Sequence, residues 1–173
     1  MFGFLSRRRF LRLGLGALAG TTAAVGGGVG GLWLLRGRAE APDGLRVLSA
    51  HEYRTMVHVA RAIVPRAGAF AEGADDFDIA RLFDGWLADE PPERVRELSM
   101  ALTLVEYGPV FYERRLATFS NLEPDEQRAH WERWAVADSL VRRQVSLGLR
   151  RFVTLVVYDQ PEVWPHLGYE GPA

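Results

Sequence analysis

Ser139-Leu140-Val141-Arg142-Arg143-Gln144-Val145-Ser146-Leu147-Gly148-Leu149-Arg150-Arg151-Phe152-Val153-Thr154-Leu155-Val156-Val157-Tyr158 is the stretch whose reading decides the fold. Leu140, Val141, Val145, Leu149, Phe152, Val153, Val156 and Val157 recur at three- and four-residue intervals. That is the period of a helix with an apolar face. Upstream segments show the same period. Ser49-x-x-Glu52 is a capping box that opens a helix carrying Tyr53, Met56, Val57, Ala60, Ile63 and Val64, ended by Pro65. Residues 66–76 read as a loop. Asp76 is expected to cap a second helix with Ile79, Leu82, Phe83, Trp86 and Leu87 on one face. Pro91-Pro92 breaks the chain, and the second proline suits a first helical position. Val95, Leu98, Ala101, Leu102 and Val105 continue the stripe. Gly108-Pro109 interrupts it, and a short helix is expected over Val110 to Leu116.

Asn121-Leu122-Glu123-Pro124-Asp125-Glu126 starts a further helix, its acids where the helix dipole favours them. Trp131 and Trp134 lie three apart on it; with Trp86 they are core candidates. No period-2 alternation or Asn-Gly turn is present. The expectation is an all-α bundle of five or six helices with an irregular C-terminal tail.

The other end of the chain carries a different signal. Ser6-Arg7-Arg8-Arg9-Phe10-Leu11-Arg12 matches the twin-arginine export motif, with Ser6, Arg7, Arg8, Phe10 and Leu11 in register. An uncharged stretch of 23 residues, Leu13 to Leu35, follows, then Ala39-Glu40-Ala41. Basic start, apolar middle and small-x-small end make a signal segment. Its length matches the roughly 20 residues needed to span a bilayer core. Two fates fit it: cleavage after Ala41, or retention as an anchor. The domain reading is 1–41 signal peptide or signal anchor, 42–48 linker, and 49–173 helical domain.

Residues 1–41 hold six Arg and one Glu, a net of +5, and residues 42–173 hold 15 Arg and 21 acids, a net of −6. An acidic domain is a poor nucleic-acid binder, so no nucleic-acid partner is expected. Cysteine and lysine are both absent. That excludes thiolate metal sites, thiol catalysis and Schiff-base chemistry. His51, His58, His130 and His166 fall in no metal-ligand spacing. The pairs Asp75-Asp76, Asp89-Glu90 and Asp125-Glu126 read as caps, and no Gly-x-Ser-x-Gly or phosphate loop occurs. No catalytic, cofactor-binding or metal residue is assigned.

The tail stands apart: Asp159, Pro161, Trp164, Leu167, Gly168, Tyr169, Gly171 and Pro172 punctuate it with turns and large aromatics. Two readings coexist. The tail folds back to bury Trp164 and Leu167, or its aromatics anchor a partner.

On these features the chain resembles the gluconate 2-dehydrogenase subunit 3 family. The likeness rests on the twin-arginine start, Leu48-Ser49-x-x-Glu52, Ile63-Val64-Pro65, Asp84-Gly85-Trp86-Leu87, Trp134, Arg142-Arg143 and, above all, Asp159-x-Pro-x-Val-Trp-x-x-Leu-Gly-Tyr-x-Gly-Pro172. The resemblance implies a non-catalytic small subunit with no cofactor of its own. Its partner would be a large flavin (GMC-type) subunit holding FAD and oxidising a sugar or sugar acid. A multi-haem cytochrome c subunit, carrying haem c, often accepts the electrons. The small subunit would take the large one through the twin-arginine translocase to the periplasmic face of the inner membrane. The alternative is a stand-alone, membrane-anchored periplasmic interaction or assembly protein.

Overall fold

The computed structural model describes residues 35–68 and 70–170. Six α-helices and two 3-10 turns lie within these residues, residues 35–36 are also helical, and there is no strand among the described residues. Helix α1 (Ala50–Ile63) is the hub, packing against α2 (Ile79–Leu87), α3 (Pro92–Glu106), α5 (Pro124–Ala135) and the 3-10 turn Phe119–Asn121. Helix α4 (Gly108–Glu113) prolongs α3 after a break at Tyr107, and α6 (Leu140–Tyr158) closes the bundle against α5, α2 and α1.

The α1 capping box forms. The Glu52 carboxylate accepts the Ser49 N–H at 2.8 Å and the Glu52 N–H reaches Ser49 Oγ at 3.4 Å. Ser49 accounts for Glu52's carboxylate lying below its ordinary pKa. Burial opposes the shift, and the hydrogen bonds from the Ser49 hydroxyl and N–H outweigh it. Pro92 opens α3 at its first position, as the double proline predicts.

One continuous core joins the helices. Met56, Val59 and Ala60 of α1 meet Ile79, Phe83 and Leu87 of α2, Leu102 and Val105 of α3, Trp131 and Trp134 of α5, and Val145, Leu149, Val153 and Val157 of α6. Phe83 sets its ring edge-on to Phe152, centroids 4.7 Å apart.

Several sequence expectations need correction. Helix α2 starts at Ile79, not after Asp76. The Asp76 carboxylate instead accepts from the Gly73 N–H and from Arg66, closing the preceding loop. Asp78 precedes the helix in a left-handed conformation. The short helix expected over Val110 to Leu116 runs from Gly108 to Glu113, because Pro109 is compatible with a first turn and Arg114 turns left-handed. Leu82, Trp86 and Leu140 face solvent although their spacing assigned them to the core stripe. The tail is not wholly irregular: Trp164–Leu167 forms a 3-10 turn. Its buried apolar residue is Val163, whereas Leu167 is exposed and Trp164 half-buried.

Candidate partner interface

Helix α6 buries one apolar face and exposes several large apolar side chains on the other. Val145, Leu149, Val153 and Val157 point into the core. At 100° per residue, Leu140, Leu147, Leu155 and Tyr158 fall within about 80° of one another on the opposite side. All four are exposed, Leu155 to 66%. Exposed Arg151 lies between Leu147 and Leu155 on that same side, so the outer face mixes large apolar side chains with a charged one. Each leucine moved out of water is worth about 2 kcal/mol, so the stripe holds several kcal/mol that the free domain leaves unrealised.

This stripe is not isolated. On α2, Leu82 and Trp86 are exposed one turn apart, and the Trp86 ring lies 5.2 Å from that of Phe152. Phe152 sits three residues before Leu155, so the α2 and α6 surfaces meet. At the C-terminal end of α6, Trp164 Nε1 donates to the Tyr158 carbonyl at 2.9 Å. That bond folds the tail back beside the stripe. Trp164 and Tyr169 then pack edge to face, centroids 5.4 Å apart. Pro161, Trp164, Pro165, Gly168, Tyr169 and Glu170 line an open hollow of about 530 Å³. Gly168 sits at φ +66°, which lets the backbone turn there without a Cβ penalty.

Of the tail residues singled out in the sequence, Pro161, Trp164, Gly168 and Tyr169 therefore share one hollow. Asp159 caps α6, and Leu167 is exposed on the 3-10 turn. Gly171 and Pro172 lie outside the described residues, as do Ser6, Arg7, Arg8, Phe10 and Leu11. Sequence reasoning missed Leu147, Leu155 and Tyr158. The available signal was a second helical stripe in 139–158, offset from the core one.

Two buried polar clusters and one surface cleft are the other candidate sites. His130, fully buried, bonds through Nδ1 to Glu113 Oε1 at 2.6 Å, and Arg133 joins the same oxygen at 2.8 Å. Burial lowers the His130 pKa against the opposing pull of Glu113, so the ring is held neutral. Burial would raise the Glu113 pKa, but hydrogen bonds from Arg133 and His130 and the Arg133 charge bring it below its usual value. His130 Nε2 faces Gly108, where an added Cβ would come within 2.8 Å. No substrate atom can approach that nitrogen, and the pair braces α4 against α5.

Glu106, also buried, accepts from Thr55 Oγ1 at 3.1 Å and from the Ser120 hydroxyl and N–H at 2.7 and 3.2 Å. Its oxygens are occupied by structural donors. The third cluster lines a cleft of about 380 Å³ that includes His58, Arg61, Arg66, Asp75, Gln127 and Arg128. Asp75 and Asp76 already pair with Arg61 and Arg66. Burial holds the His58 pKa down although Gln127 bonds its ring. Among the described residues that line the cleft there is no serine or threonine hydroxyl. Among the described residues no three His, Asp or Glu side chains are grouped to hold a metal ion.

Comparison with family models, with curated proteins and with solved structures gives no match for this chain.

Proposed function

We propose that this chain is the non-catalytic small subunit of a flavin-dependent sugar or sugar-acid dehydrogenase complex. It escorts the large FAD subunit through twin-arginine export and stabilises it at the periplasmic face of the inner membrane. The observation that carries this reading is the set of large exposed apolar side chains on α2 (Leu82, Trp86), on α6 (Leu155, Tyr158) and at the Trp164–Tyr169 hollow of the tail. Large apolar side chains exposed near one another are a mark of interaction sites. Pro161, Trp164, Gly168 and Tyr169 of that hollow are among the residues that carry the family resemblance, which supports a large flavin subunit as the occupant. The buried histidine and carboxylates are spent on bracing helices, which suits a subunit whose chemistry belongs to its partner.

FAD belongs to the large subunit and haem c to any cytochrome subunit; this chain supplies the docking face. Co-expression of the chain with a large flavin subunit encoded beside it, followed by affinity capture, tests the proposal. A flavin-containing complex is the expected result. A chain that elutes alone, or that oxidises sugar acids by itself, overturns it.

A further inference from the structure

Residues 35–38, the end of the signal segment, are hydrogen-bonded into the folded domain. Asn121 Nδ2 donates to the Leu35 carbonyl at 2.7 Å. Arg54 Nη1 donates to the carbonyls of Arg36 and Arg38 at 3.3 and 3.2 Å. Arg54 Nη2 is itself positioned by Asn121 Oδ1 at 2.6 Å and the Ser120 carbonyl at 3.3 Å. Between them Gly37 turns left-handed at φ +67°. The Arg36 guanidinium lies 5.8 Å from the Tyr107 ring centroid, a cation–π contact. The clamp thus draws on α1, the α3–α4 junction and the 3-10 turn.

Two consequences follow from this geometry. A peptidase cutting after Ala41 has to bind the residues just upstream as an extended strand. The clamp fixes Leu35, Arg36 and Arg38, the last of them three residues before that bond, around a left-handed bend at Gly37, and cutting would discard every one of these bonds. The clamp also leaves no free linker between the last residue of the uncharged stretch, Leu35, and the domain surface. Whatever surrounds the clamp must therefore lie at the level where that stretch ends.

What surrounds it is suited to a lipid headgroup layer. The Tyr107 ring lies 6.3 Å from that of Phe111, which is exposed. Leu116 is 85% exposed, two residues before Thr118, whose hydroxyl accepts from Asn121 Nδ2 at 2.9 Å. The Arg36 guanidinium lies over the Tyr107 ring, and Arg38 beside the clamp and Arg114 between Phe111 and Leu116 in the sequence are exposed. Aromatic and aliphatic side chains mixed with arginine are the composition found at membrane–water interfaces.

We propose that the N-terminal segment is retained, and that the Arg54–Asn121 clamp seats the Tyr107–Phe111–Leu116 end of the domain on the bilayer surface. This rests on reading Leu13 to Leu35 as a membrane segment and not on the identity of the flavin partner.

The full chain contains no cysteine, so single probes are clean. L116C and E93C variants, labelled with an environment-sensitive fluorophore, are reconstituted into vesicles of phosphatidylethanolamine and phosphatidylglycerol. Exposed Glu93 starts α3, about 20 Å along the helix from Tyr107. The expected result is a blue shift and quenching by brominated lipid at position 116, with neither at 93. Adding R54A to L116C should reduce the quenching while the chain stays with the vesicles. The mass of the exported chain recovered from membranes should include residues before Pro42. A chain beginning at Pro42, equal quenching at both positions, or a chain that does not pellet with vesicles each overturns the proposal. None of these readouts involves the large subunit, so failure of the partner reading is registered separately.

Discussion

The backbone N–H of Leu48 donates to Asp84 Oδ1 at 2.7 Å, and the N–H groups of Val47 and Arg46 reach the same carboxylate at 3.0 and 2.7 Å. One buried side chain on α2 therefore fixes the strand of chain that enters α1. D84A would leave three N–H groups without partners, each worth about 1 kcal/mol or more. A loss of about 2–4 kcal/mol in urea unfolding is expected, with D84N intermediate because its amide oxygen still accepts.

Acid sensitivity follows from the same site. Burial pushes the Asp84 pKa up, but the three backbone donors outweigh it and hold the folded-state value below the ordinary 3.8. A depressed carboxylate contributes stability that is complete above the unfolded pKa. That contribution is lost as pH falls through 3.8 toward the folded value. Thermal melts of wild type and D84N should converge as pH falls through and below 3.8.

Histidines set a second window with the same sign. Burial depresses the pKa of both His58 and His130 below 6.5, so the unfolded chain takes up protons first as pH drops. Stability should fall on acidification below 6.5, and H58Q should flatten the slope. Melting temperature measured across this window decides it.

Gly108 is under a tighter constraint than its place at a helix junction implies. A Cβ there would stand 2.7 Å from the Trp134 ring and 2.8 Å from His130 Nε2. Overpacking of this kind costs about 1–3 kcal/mol, so G108A should lower the melting temperature measurably.

Leu147 and Leu155 make no comparable demand on the fold. L147R with L155R should change the unfolding free energy by about 0.5 kcal/mol or less per site, as surface substitutions do. The same pair should weaken capture of the flavin subunit at least about tenfold, or 1.4 kcal/mol. W164A with Y169A tests the hollow more cleanly than deleting the tail. Deletion after Tyr158 also removes Val163, which is fully buried.

Helical periodicity made the bundle legible: α1, α3, α5 and α6 begin within a few residues of where caps and prolines place them. The limits of α2 and α4 were not legible. They are set by left-handed turns at Asp78 and Arg114, which spacing does not encode. Solvent exposure of Trp86 and Leu140 was equally hidden, because a core stripe and a docking stripe have the same period. The tail residues could be singled out from composition, but their gathering into one hollow depends on the Trp164 bond to the Tyr158 carbonyl. Asp84 stood in a quoted motif with no role assigned. Its partners are backbone N–H groups almost forty residues earlier, and no local pattern points to them.

Capture of the co-expressed flavin subunit is the most direct test of the central claim. The full chain, tagged at the C-terminus, is purified from membranes alongside the L147R/L155R variant, and flavin absorbance is read in each eluate. The account predicts a flavin-bearing large subunit with the wild-type chain, and its loss from the variant while helicity is unchanged. Flavin subunit retained in full by the variant would contradict the assigned face. Its absence from the wild-type eluate would contradict the function.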